Sequence, residues 1–317
     1  MPSPDATEVW LAHLAHEQRY SSHTIDAYRH DLQLLQRCCA GQALKTLDAL
    51  DLRQALRRLH GQGHEPRSLA RALAAWRSYY TWCVRAGHLS GNPAVGIRAP
   101  KAPRNLPKAL SVDQAQALLD RAQLPPAESP VEKRDMAMFE VLYSAGLRLA
   151  ELVSLDWRAR QGPEYRSQSW IELEEAQAIV RGKGNKTRIV PLGHQALAAL
   201  QAWLPVRASL LAPQSGVDAR AALFLGVRGA RISPRVVQLQ LQALARRTGL
   251  PVHVHPHSLR HSFASHLLQS SHDLRAVQEL LGHANISTTQ IYTRLDFQHL
   301  AATYDQAHPR AQRKTDA

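Results

Sequence analysis

Residues 99–108 read Ala-Pro-Lys-Ala-Pro-Arg-Asn-Leu-Pro-Lys. Pro100, Pro103 and Pro107 lack the N–H that a helix or a sheet ladder needs, and three prolines in ten residues hold a chain extended. The stretch therefore reads as a linker. Lys101, Arg104 and Lys108 give it charges that could lie along a phosphate backbone. Before it the pattern is helical. Ile25, Tyr28, Leu32 and Leu35 step by three and four, as one helix face does. Leu52, Leu56 and Leu59 repeat the spacing, and Leu69, Leu73, Trp76, Tyr80 and Val84 repeat it again behind Pro66, a good first-turn residue, with Gly87 as the stop. Residues 1–98 are predicted to be a bundle of about four helices.

After the linker the texture changes. Helices are expected near 111–122 and 131–144. Three short β-rich runs follow, SWIEL (169–173), AIVRG (178–182) and TRIVP (187–191), with the glycine-rich turn 182–186 between the last two. Lys183 falls at the tip of that hairpin. Helical spacing resumes at about 194–204, 233–247, 257–269, 273–281, 287–294 and 296–307. The expected fold class is mainly α with a small antiparallel β-sheet: a helical N-terminal bundle joined to a larger α+β domain over 109–317.

Composition limits the function. The chain has 317 residues, long enough for one large domain or two ordinary ones. Hydrophobic residues make up 44% and charged ones 21%, which suits a packed soluble protein and excludes a disordered or collagen-like one. Thirty-nine Lys and Arg stand against 26 Asp and Glu, a net +13, shared as +6 before residue 108 and +7 from residue 108 onward. Such basicity in two bodies points to a polyanion, most simply nucleic acid held from two sides. Cys38, Cys39 and Cys83 make no disulfide framework and fit a reduced cytosolic setting. The start MPSPDATEVW has neither a basic nor an apolar leader region, so secretion is not expected. The uncharged stretch Ile189–Val206 contains two prolines, a glycine, a histidine and two glutamines. It reads as a loop and an amphipathic helix rather than a membrane span.

Several chemistries are missing. There is no GxxxxGK[ST] nucleotide loop, no HExxH and no GxSxG. The stretch from His253 to His266 holds His255, His257 and His261 as well. His257 and His261 are four apart, a ligand-like spacing, but no carboxylate or thiolate lies at ligand spacing and Arg260 would repel a cation. An anion site is the better reading: His257 and Arg260 share a helix face, Arg offers a fork of donors to a phosphate, and His moves a proton near neutral pH. Leu259, Phe263 and Leu267 would form the buried face of that helix. Arg148 follows Gly146 at a helix start, while Glu151 three residues on caps or orients. Gly282 should end a helix and release His283 into a loop. Ser287–Gln290 forms a capping box that starts the short helix carrying Tyr292. Arg53 with Arg57, and Arg67 with Arg71, are four apart. Each pair reads equally as a DNA-facing stripe or as an ordinary solvated face.

Four segments in order, GLRLAEL (146–152), GKGNKTR (182–188), HSLRHSFASHLL (257–268) and LLGHANISTTQIYT (280–293), resemble the tyrosine recombinase/integrase family. His257 to His283 spans 26 positions and His283 to Tyr292 nine. The likeness covers nearly the whole chain, with the N-terminal bundle resembling the family's core-binding, DNA-contacting domain. It implies that Tyr292 attacks a DNA phosphate and forms a 3′-phosphotyrosine. Arg148 and Arg260 would clamp the phosphate, Lys183 would protonate the leaving oxygen with Lys186 as runner-up, His257 would assist at the tyrosine, and His283 would hydrogen-bond the phosphate. Arg67, Arg71, Lys101, Lys186 and Arg188 are the candidate DNA contacts. No metal, ATP or other cofactor is implied.

The tail 295–311, LDFQHLAATYDQAHPRA, resembles one branch of the family. That likeness implies double-stranded DNA at a chromosomal site, a sister recombinase as partner, two copies of each, and control by a DNA translocase. Phe297, Leu300, Ala301 and Tyr304 form an apolar stripe, read as a helix that docks on a neighbouring subunit or packs at home, with Arg310, Arg313 and Lys314 solvated or touching DNA. Residues 157–171 are longer and more polar than the family's usual approach to its hairpin. The competing readings are a DNA-binding regulator without chemistry, an enzyme that only nicks and reseals, and a histidine-metal hydrolase.

Overall fold

The computed structural model describes residues 5–18, 20–101, 109–120, 129–182, 186–250, 254–282, 304 and 307–311. The chain divides into two compact units, residues 1–105 and 106–317.

In the first unit, α1 (Ala6–His16), α2 (Ser22–Cys38), α3 (Ala49–Gly61) and α4 (Pro66–Arg85) form the expected bundle. Side chains of Asp5, Ser21 and Asp48 cap the first three, accepting backbone N–H groups that no helix turn can satisfy. Pro66 opens α4. The periodic faces point inward: Leu32, Leu35, Leu52, Leu59, Leu69, Leu73, Trp76 and Tyr80 are all buried. Trp10 of α1 stacks on Tyr28 at 5.9 Å between ring centroids and meets Tyr79 edge-on at 5.5 Å. One charge lies inside this core. Asp31 is buried, and Arg71 donates to both its oxygens at 2.9 Å. Arg71 keeps 48% of its side chain exposed, so one residue both closes a buried carboxylate and faces water.

The second unit is built on α6 (Pro130–Ser144), buried nearly all round from Met136 to Ser144, as expected of a helix apolar on every side. Around it lie α5 (Val112–Leu119), α7 (Leu149–Ser154), α8 (His194–Arg207), α9 (Val217–Ala221), α10 (Pro234–Arg247), α11 (Pro256–Ser271) and α12 (Leu274–Leu281). The sheet runs in the order β1 (Leu155–Asp156), β2 (Ser169–Glu172), β3 (Gln177–Arg181), β4 (Thr187–Pro191). β2, β3 and β4 pair antiparallel as the hairpin pattern predicts, with Trp170 opposite Ile179 and Ile179 opposite Ile189. β1 joins β2 parallel, Leu155 opposite Ser169, which makes the sheet mixed. The polar excursion 157–168 is the crossover that allows it. This crossover folds back on itself, Gly162 N–H donating to Tyr165 O at 3.0 Å. Tyr165 Oη then donates to the buried Asp156 carboxylate at 3.0 Å, and Arg231 donates to the same group at 2.7 Å. Among the described residues no helix is long and apolar enough to cross a membrane.

The tail corrects one expectation. Arg310 is not solvated: it is 6% exposed. Its guanidinium donates to Glu140 through Nε at 2.9 Å and through a second nitrogen, and to Asp120 at 3.1 Å. Tyr304 is buried in the same unit, its hydroxyl 2.6 Å from Ser144 Oγ, and stacks on His308 at 4.9 Å. Burial, then the charges of His266 and Arg310, pushes the His308 pKa down to about 3, so this ring is neutral. The described end of the tail thus packs at home. Phe297, Leu300, Ala301, Arg313 and Lys314 lie outside the described residues.

Breaking a buried ion pair strands the remaining charge. Arg310→Met should therefore lower unfolding free energy by about 3–5 kcal/mol. Urea unfolding measures this, and a loss below about 1 kcal/mol would return Arg310 to the solvent-exposed class.

Candidate active site

Arginines from three elements meet at a single carboxylate. Arg148 is the N-cap residue of α7, and Glu151 sits at its third position, accepting the Arg148 backbone N–H at 2.7 Å. This is a capping arrangement, expected of Glu in a first turn. The same carboxylate also accepts the Arg148 side chain at 2.9 Å and both terminal nitrogens of Arg188, on β4, at 2.8 and 2.9 Å. Arg260, on α11, stands 3.8 Å from it. Arg260 donates to the carbonyls of Gly146 and Leu281, so it ties the turn before Arg148 to the end of α12. Gly282 ends α12 in the left-handed conformation (φ +65°, ψ +51°), as the sequence predicts, and the chain runs on to His283.

Electrostatics follow from the count. Three guanidinium groups against one carboxylate leave a surplus of two positive charges in a largely dry site. Burial pushes the Glu151 carboxyl up, but hydrogen bonds and charge from Arg188 and then Arg148 overcome it, and its pKa lies below the ordinary value. Burial, then the like charge of Arg148, lowers the Arg260 pKa to about 10, with Arg188 adding to the effect. Arg148 keeps 38% of its side chain exposed. Like charges crowded behind one accessible guanidinium are relieved by an anion, and phosphate matches the planar fork of donors.

His257 is exposed one turn before Arg260 on α11. Burial lowers its pKa from 6.5, helped by the charges of His255, Arg260 and His261. Its ring is therefore neutral at pH 7 and able to accept a proton. His266 is a structural histidine, 2.8 Å from Tyr143 Oη and 2.8 Å from Leu110 O. No group of three or more His, Cys, Asp or Glu able to hold a metal occurs among the described residues.

Arg148 and Arg260 are thus brought together, with His257 one turn before Arg260 on α11. Lys183, His283 and Tyr292 lie outside the described residues. Arg67, Lys101 and Lys186 are exposed. Arg188, expected as a DNA contact, is 5% exposed and turned inward: Nε donates to Leu280 O at 2.9 Å and the other nitrogens hold Glu151. No signal in a basic strand distinguishes this buried arginine from a surface one. The sole clue was Glu151, a carboxylate in need of partners.

Two family models match the chain: the phage integrase family over residues 108–299, and the phage integrase N-terminal SAM-like domain over 7–87. The chain belongs to the phage integrase family and is a tyrosine recombinase, a DNA strand-breaking and rejoining enzyme. It is 50% identical to the protein named tyrosine recombinase XerC 1 of Ralstonia nicotianae, over 99% of this chain and 96% of that one. It is likewise 50% identical to tyrosine recombinase XerC of Pseudomonas aeruginosa, over 98% of this chain and 96% of the other. The fold is shared with the XerH recombinase bound to its palindromic difH substrate (TM-score 0.63, 22% identity, 89% and 79% covered). It is also shared with the Tn1549 transposon integrase bound to circular intermediate DNA (TM-score 0.66, 16% identity, 94% and 99% covered).

An NMR titration should find the His257 midpoint below 6.5, and His255→Gln should move it upward. A midpoint at or above 6.5 in the unaltered protein would show a ring that its neighbours do not affect.

Proposed function

We propose that this chain is the XerC-type half of a pair that cuts and rejoins double-stranded DNA at a dif-like chromosomal site, resolving chromosome dimers in the cytoplasm. Two copies would act with two copies of a XerD-like sister, under control of an FtsK-type translocase. The likeness to XerC proteins across almost the whole length supports the biological setting. The observation that carries the chemistry is the surplus of positive charge around Glu151, with Arg148 accessible to an anion.

In this reading Tyr292 Oη attacks the scissile phosphorus. The bond to the 5′ oxygen breaks as the 3′-phosphotyrosine forms. Arg148 and Arg260 neutralise the non-bridging oxygens as charge builds in the pentacoordinate state, where such donors contribute most. Lys183 gives its proton to the leaving 5′ oxygen, with Lys186 the alternative donor. His257 takes the phenol proton, and His283 hydrogen-bonds the phosphate. The phosphotyrosine keeps the energy of the broken bond, so the second strand is joined by the reverse attack without ATP. Arg67 and Lys101 contact the DNA backbone away from the cut. Arg71 can do so with the part of its side chain that Asp31 leaves in solvent.

The direct test is Tyr292→Phe on a nicked site. It should bind DNA as well as the unaltered protein, because one hydroxyl is removed from a surface dominated by phosphate contacts. No covalent protein–DNA adduct should form. An adduct with the Phe variant would assign the nucleophile elsewhere.

A further inference from the structure

Arg188 has a placement that the reaction scheme does not use. It stands on β4, two residues after the hairpin turn that carries Lys183 and Lys186. It is nonetheless buried against the end of α12, from which the chain continues to His283 and Tyr292. Its three donor nitrogens are divided: one on the Leu280 carbonyl, two on the Glu151 carboxylate. Two glycines make the room. A Cβ at Gly182 would stand 3.2 Å from an Arg188 nitrogen and 3.3 Å from Glu151 Oε1. A Cβ at Gly282 would stand 3.1 Å from Arg188 Cδ. The guanidinium is thus wedged between the base of the hairpin and the last turn of α12, touching the residue that holds Arg148.

We propose that Arg188 is a positioning residue that joins the hairpin, α12 and the phosphate clamp into one unit by saturating Glu151. The physical case is a competition for the carboxylate. Glu151 now gives one oxygen to the Arg148 guanidinium while Arg260, at 3.8 Å, remains outside hydrogen-bonding distance and is held by two carbonyls instead. Remove Arg188 and a buried carboxylate loses two charge-assisted bonds. The nearest replacements are Arg148 and Arg260, the two groups meant for phosphate. The surplus of two positive charges falls to one, and the clamp is drawn inward onto Glu151. Lysine cannot substitute, because a point charge on a flexible stem cannot serve both carboxylate oxygens and a carbonyl at fixed angles.

The inference rests on the assignment of Arg148 and Arg260 as the clamp. The test compares two nicked substrates, one with an ordinary scissile phosphodiester and one with a methylphosphonate there. The second lacks the charge that the clamp neutralises. Single-turnover cleavage by the full chain is measured for Arg188→Met, Arg188→Lys and Arg148→Ala. Arg188→Met should slow cleavage of the phosphodiester roughly 100-fold, the scale of a lost oxyanion donor. Its loss on the methylphosphonate should be only a few-fold, with DNA affinity and its salt dependence unchanged. Arg188→Lys keeps the charge and protects the fold. It should show the same selectivity at smaller size, and it decides the matter if the Met variant does not fold. Equal slowing on both substrates would overturn the proposal. So would a salt slope lower by about one, the mark of a lost phosphate contact. Arg148→Ala separates the two claims: if it shows no selective loss on the phosphodiester, the clamp assignment itself fails, whatever Arg188 does.

Discussion

The Glu151 carboxylate accepts a backbone N–H and three guanidinium nitrogens. A buried carboxylate is costly unless it is fully hydrogen-bonded and paired, and this one is both. Each partner belongs to a different part of the second unit. Arg148 brings the start of α7, Arg188 brings β4 and the hairpin base, and Arg260 approaches from α11 while holding the last carbonyl of α12. The arginines gathered around one acid therefore fix α7, β4, α11 and the end of α12 relative to one another. The cations brought together for that purpose outnumber the acid. The excess is what a phosphate would meet.

The same device recurs away from the site. Asp156 is closed by Tyr165 and Arg231, and Arg231 also donates to the Val153 and Leu155 carbonyls at the far end of α7. The helix that begins with Arg148 is thus fixed at both ends by arginine. Glu140 and Asp120 are closed by Arg310, which holds the described tail to α6 and the end of α5. In the first unit Asp31 is closed by Arg71. Much of the chain's basic excess is exposed, but several arginines serve the interior, so charge count alone overstates the surface available to DNA.

The elements long enough to show a period were legible in the sequence. The faces of α2, α3 and α4 are those that their leucine spacing marks, and β2, β3 and β4 follow their β-branched runs. α7, α9 and β1, with six, five and two residues, are too short to carry a period, and the parallel pairing of β1 depends on a crossover whose polar composition looks like a loop. The proximity of Arg148 and Arg260 was legible through their motifs. Arg188 and Arg310 were misplaced for a common reason: an arginine beside other basic or polar residues reads as surface, and only the position of a carboxylate distant in sequence, 37 residues away for Glu151 and 170 for Glu140, turns it inward. Residue type was informative there; burial was not.

The central claim is that Glu151 organises the clamp without touching DNA. Glu151→Gln keeps the shape and removes the charge that holds Arg148 and Arg188. Single-turnover cleavage of a nicked site, measured beside affinity for the same site, tests it most directly. The account predicts cleavage slower by about 100-fold with affinity unchanged. Cleavage within about twofold of the unaltered protein would contradict it, because a shift of that size is worth less than 1 kcal/mol and a clamp that loses its anchor cannot lose so little.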